Sequence, residues 1–168
     1  MTRGAGWSNC CARGLARAFT LVEILIVVVI LGVLAAIVIP QFTTVNDEAR
    51  QATFASNLRI IEDGCALFLV SNGVWPEDGG SGTIPDGLDE YIPVNDFENG
   101  TPIGGVWDCE NDDAGDVVFA VGVHFDGTGE TRDDDYMNAI DAMLNDGDVE
   151  TGAFRRIADA RYYTVMEE

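Results

Sequence analysis

Hydrophobic positions along this chain follow two patterns. Residues 21–39, LVEILIVVVILGVLAAIVI, are apolar on every side apart from Glu23. Beyond Pro40 the apolar residues become periodic. Phe54, Leu58, Ile61, Cys65 and Phe68 recur at helical spacing, with Asn57, Arg59, Glu62 and Asp63 on the other side. That is the apolar stripe of a helix packed against a core. The pattern predicts one long helix from Phe19, kinked rather than ended by Pro40. It should close near residues 71–73, with Gly73 as the C-terminal cap.

Past that helix the pattern weakens. Residues 74–116 are rich in Gly, Pro, Asp and Asn, and read as a long loop pinned by aromatics such as Trp75 and Trp107. Residues 116–125, DVVFAVGVHF, predict a strand ended by the Asp126-Gly127-Thr128-Gly129 turn. Residues 135–145 predict a short helix with an Asp at its N-cap and Met137, Ile140 and Leu144 facing inward. Residues 161–166, RYYTVM, predict a closing strand. The expected class is α+β, one long helix on a small antiparallel sheet of three or four strands.

Charge sharpens the division. The 168 residues carry 29 acids against nine basic residues, all arginine, and a net charge of −20. A chain this acidic has no basic surface for neutralising phosphates, so nucleic-acid binding is excluded as its main role. Mean hydropathy is nevertheless +0.09, because the apolar residues are concentrated in 21–39. Residues 1–18 hold Arg3, Arg13 and Arg17 and no acid, while the acidic excess lies beyond Pro40. A helix of 19 residues spans about 30 Å, the hydrocarbon thickness of a bilayer. A basic flank ahead of it and an acidic bulk behind predict a cytoplasmic N-terminus and a C-terminal bulk outside.

Three readings of the apolar run compete. A secretory signal peptide cut near Ala35 or Ala36 tolerates Glu23 poorly. A plain one-span anchor has no use for a carboxylate that costs about 1–3 kcal/mol in the membrane. A cut between Ala18 and Phe19 gives the carboxylate a partner. The new α-amino group of Phe19 in one subunit can neutralise Glu23 of another within an apolar core.

The string Arg17-Ala18-Phe19-Thr20-Leu21-Val22-Glu23-Ile24-Leu25, followed by that apolar run, resembles the processing site of the type IV pilins and type II secretion pseudopilins. The resemblance covers residues 17–75 and implies cleavage before Phe19 by a prepilin peptidase, with methylation of the new amine. Gly32 and Pro40 stand where that family softens its helix. Ala18 departs from the family, which usually has Gly there. By the same resemblance the chain divides into a leader (1–18), an apolar membrane and filament-core helix (19–41), the outer half of that helix (42–73) and a periplasmic head (74–168). Implied partners are identical and related pilin-like subunits, the peptidase, an assembly platform and the inner membrane. The function implied is a non-catalytic filament subunit, a pseudopilin of a type II secretion system. The alternatives are a type IV pilus subunit for adhesion or motility, and a solitary membrane-anchored or secreted periplasmic binding domain. Loss of the leader leaves six arginines against 29 acids, a net charge of −23.

Catalytic chemistry has little to stand on. Ser56, Ser71 and Ser81 lie in no nucleophile motif, and His124, the single histidine, sits in an expected strand. The glycines of residues 79–82 are followed by no Lys-Ser/Thr, so they form no P-loop. Without the leader's Cys10 and Cys11, Cys65 and Cys109 remain, and two cysteines outside the cytoplasm invite one bridge. The competing reading is two separate thiols, Cys65 being a small core residue. No cofactor is expected except a calcium ion, for which Asp133, Asp134, Asp135, Asp146 and Asp148 form the ligand pool. The alternative for these acids is a solvated face.

Overall fold

The computed structural model describes residues 19–111, 117–127 and 129–168, without the side chains of 38–44 and 96. The expected leader, Ala18, the first residue of the strand expected at 116 and the turn residue Thr128 therefore lie outside the described residues. The chain forms two compact units, Met1–Phe42 and Thr43–Glu168. Helix α1 (Leu21–Asn72) begins in the first unit and ends in the second, and its assignment runs on past Pro40.

In the second unit the stripe faces inward as its periodicity requires. Phe54, Leu58, Ile61 and Cys65 are buried, and Phe68 packs at the edge of the same cluster. Gly64 lies on this face because Ile92 crosses it. A Cβ on Gly64 would stand 2.1 Å from the Ile92 side chain. The helix ends as expected. Gly73 has φ 77°, open to glycine at no steric cost, and its N–H closes on the Leu69 carbonyl at 2.7 Å.

The sheet has four antiparallel strands in the order β1-β2-β4-β3. They are β1 (Val106–Asn111), β2 (Phe119–His124), β3 (Phe154–Ala158) and β4 (Arg161–Glu167). Two of them, β1 and β3, fall where the hydrophobic pattern shows no strand, so the expected loop is shorter than 74–116. What remains of it contains a 3₁₀ turn at Leu88–Glu90 and the short helix α2 (Val94–Glu98). It is held down by Leu88, Ile92, Phe97 and Ile103, all buried, and by Trp75 stacked on Phe119 at 4.5 Å.

Helix α3 (Asp134–Leu144) crosses between β2 and β3. Asp133 caps it by accepting the Tyr136 N–H at 3.0 Å, and Met137 and Ile140 are buried as expected. One sheet face packs against α1, where Phe54 stacks on Trp107 with ring centroids 4.9 Å apart. The other carries a smaller cluster of Val117, Ala120 and Tyr163. The observed class is α+β, a helix on a small antiparallel sheet, as the pattern predicts.

Candidate processing and assembly site

The described part of the first unit starts at Phe19. Phe19 and Thr20 precede the helix, and Phe19 is exposed. Thr20 is the N-cap. Its backbone N–H and its hydroxyl each donate to Glu23 Oε2 at 2.8 Å, and the Glu23 N–H donates to Thr20 Oγ1 at 3.2 Å. This reciprocal arrangement is a capping box, which satisfies helix-end N–H groups that have no partner within the helix. The Thr-x-x-Glu spacing signals it directly, yet a reading centred on the Phe19 amine passes over Thr20. Both acceptor bonds fall on Oε2, so among the described residues Oε1 stays open to a further donor.

From Leu21 to Ile37 every side chain is exposed, with large apolar residues on all sides. Gly32 has nothing within 4 Å of where a Cβ would stand. Pro40 lies within α1, and its side chain is outside the described residues. Among the described residues no helix is long and apolar enough to cross a membrane. The run of described side chains stops at Ile37, two residues before the apolar sequence itself ends.

The other expected site residues lie in the second unit. Cys65 on α1 and Cys109 on β1 are both buried as free thiols in the same core cluster. The five aspartates of the expected calcium pool have separate tasks. Asp133 caps α3. Asp134 accepts the Tyr162 hydroxyl at 2.5 Å and lies 3.6 Å from Arg156. Asp135 is exposed on the first turn of α3. Asp146 accepts from the Asp148 N–H and the Thr151 hydroxyl, and Asp148 accepts from the Glu150 N–H. Among the described residues no three His, Cys, Asp or Glu side chains are gathered to hold a metal ion.

A polar cluster that the sequence does not announce lies on the sheet face away from α1. Asp108, 2% exposed, accepts hydroxyls from Ser81 at 2.8 Å and Tyr163 at 2.7 Å. Ser81 Oγ also meets His124 Nδ1 at 2.8 Å. Burial, followed by the Asp108 charge, pushes the Tyr163 hydroxyl far above its usual range. Next along β1, the buried Glu110 is paired with Arg161. Asp108 and Ser81 meet the same side of the imidazole, 3.8 and 2.8 Å from Nδ1. The acid is therefore not placed behind the ring to orient a base, as nucleophilic catalysis requires. The cluster pins the segment before β1 to the sheet.

A model of the prokaryotic N-terminal methylation motif matches residues 13–39. The chain is 38% identical over 58 residues to type II secretion system core protein G of Pseudomonas aeruginosa, covering 34% of this chain and 41% of that protein. It is 34% identical over 79 residues to the protein of the same name from Vibrio cholerae, covering 46% and 50%. It is also 38% identical over 55 residues to the type IV narrow pilus major component PilA5 of Thermus thermophilus, covering 33% and 47%. The chain thus spans half or less of the length of these relatives. No solved structure matches it. The chain thus carries the prokaryotic N-terminal methylation motif ahead of an α+β head, and over its N-terminal part it is similar to type II secretion core proteins G and to a type IV pilus component.

Proposed function

We propose that this chain is a non-catalytic filament subunit, a pseudopilin of a type II protein secretion system. The observation that carries the reading is the Arg17–Glu23 string joined to an apolar helix whose first turn is capped by Thr20 and Glu23. A prepilin peptidase cuts between Ala18 and Phe19 and methylates the Phe19 amine. The subunit waits in the inner membrane, N-terminus in the cytoplasm and head in the periplasm. Assembly moves the apolar helix from lipid into a bundle of similar helices. Both surroundings are apolar, so the transfer costs little. Glu23 sets the register, its open Oε1 receiving the Phe19 amine of a neighbouring subunit.

The similarity to a narrow pilus component supports a second reading, a type IV pilus subunit. Both readings share one test. Glu23→Ala removes a carboxylate that is costly in lipid but aligns subunits. The variant should reach the membrane at the wild-type level or above, while sheared filament recovered per cell falls at least about tenfold, the loss expected for removing one partner of a buried charge pair. Wild-type filament yield would contradict the amine–carboxylate pairing.

A further inference from the structure

The structure places side by side two groups that filament assembly does not use. Cys65 sits on the inner face of α1, 0% exposed, and Cys109 on the inner face of β1, 2% exposed. They share one core cluster. The segment between them carries the 3₁₀ turn and α2 and no strand before β1. We propose that Cys65 and Cys109 close into a disulfide while the head folds, before the core seals over them, and that this bridge ties α1 to β1. The proposal rests on the head lying outside the cytoplasm.

The chemistry is an ordinary exchange. Each thiol gives up a hydrogen and the two sulfurs join. Two electrons and two protons pass to a disulfide-bearing oxidant of the extracytoplasmic space, which leaves as a dithiol. The timing follows from burial. Attack on the oxidant needs a thiolate and room for a second protein's sulfur. In the folded dithiol neither is present. The neighbouring Cys65 thiol, followed by burial, holds the Cys109 thiol well above its usual range. A chain that folds first is therefore trapped as the dithiol, and a chain that meets the oxidant while open is bridged.

The test uses the full chain expressed in cells with an oxidising periplasm. Membranes are dissolved in denaturant with N-ethylmaleimide and no reductant, then digested after glutamate. No basic residue lies between Arg59 and Arg132, so cleavage at arginine would leave both cysteines on one peptide. Glutamate cleavage separates 63–77 from 99–110. The expected product is these two peptides linked, two hydrogens lighter than their sum and released by reduction. Both peptides carrying maleimide overturn the bridge, whatever the N-terminus. The same digest reads the N-terminal peptide. An uncut leader with a linked pair overturns the processing reading and leaves the bridge standing. For timing, reduced full chain in detergent is given glutathione disulfide either during refolding or after it. Bridging should be at least about tenfold faster during refolding, as a buried, protonated thiol requires. Equal rates overturn closure during folding.

Discussion

Thr20 and Glu23 cap each other at the first turn of α1, the Thr20 N–H and hydroxyl both resting on Glu23 Oε2 at 2.8 Å. The carboxylate therefore has a local task within its own chain. A side chain already held by two bonds offers its second oxygen in a fixed direction. In the proposed filament a neighbour's amine would meet a positioned group rather than a free one.

Thr20→Ala should release that carboxylate. The lost cap is worth about 1 kcal/mol, so amide exchange at residues 21–23 of the chain in detergent should rise about fivefold. Thr20→Ser keeps the hydroxyl and should exchange as wild type does. Unchanged exchange in Thr20→Ala would show that the cap contributes nothing to the helix start.

The centre of the head rests on Phe54 and Trp107, both fully buried and stacked 8° from parallel. Phe54→Ala should cost about 3–5 kcal/mol, read by thermal or denaturant unfolding. Trp107 differs, because its indole N–H is buried with no partner among the described residues. Trp107→Phe loses ring area but also removes that orphan donor, and should cost only about 1–2 kcal/mol. An equal loss for both variants would contradict this difference.

The hydrophobic pattern reveals α1, β2, α3 and β4, because each has a run or stripe of apolar residues with a clear cap or turn. It conceals β1 for a specific reason. Asp108 and Glu110 alternate with Trp107 and Cys109, so the strand reads as a half-exposed or looped acidic stretch. In the structure both acids are shut in by distant residues, Tyr163 and Ser81 for Asp108 and Arg161 for Glu110. No local signal specifies partners so far away in sequence. Strand β3 is concealed by brevity and by Arg155 and Arg156, whose ion pairs with Glu168 and Glu150 form only in the fold. At the start of α1 the Thr20–Glu23 box is legible from the Thr-x-x-Glu spacing, since its hydrogen bonds are local. The expected calcium pool shows the opposite case. Clustered aspartates look alike in sequence whether they cap helices, pair with arginine or bind a metal.

Asp141 gives the head a pH dependence. It is fully buried, and its Oδ2 accepts the Gly147 and Asp148 N–H groups at 2.6 and 2.7 Å. Burial, followed by a hydrogen bond shared with Asp146, pushes its carboxyl above the usual 3.8. A raised folded pKa gives stability that is full below the ordinary value and lost as pH rises through the folded one. Asp146 is held below its usual value, chiefly by the Asp148 N–H, and acts with the opposite sign. Asp141→Asn keeps an oxygen for the two N–H groups and offers Asp146 an amide donor without a buried charge. Urea unfolding should show the variant more stable by about 1 kcal/mol at pH 7, with the gain vanishing below about pH 3. A wild type as stable as the variant at pH 7 would contradict the assignment.

The account depends most on where the finished chain begins. The intact mass and N-terminal peptide of the protein, purified from cells that carry a prepilin peptidase, read this in one measurement. The predicted result is a chain that starts at Phe19 with one methyl group on its amine, residues 1–18 having been removed. A chain that still starts at Met1, or one that starts beyond Ala35, would contradict the filament-subunit account.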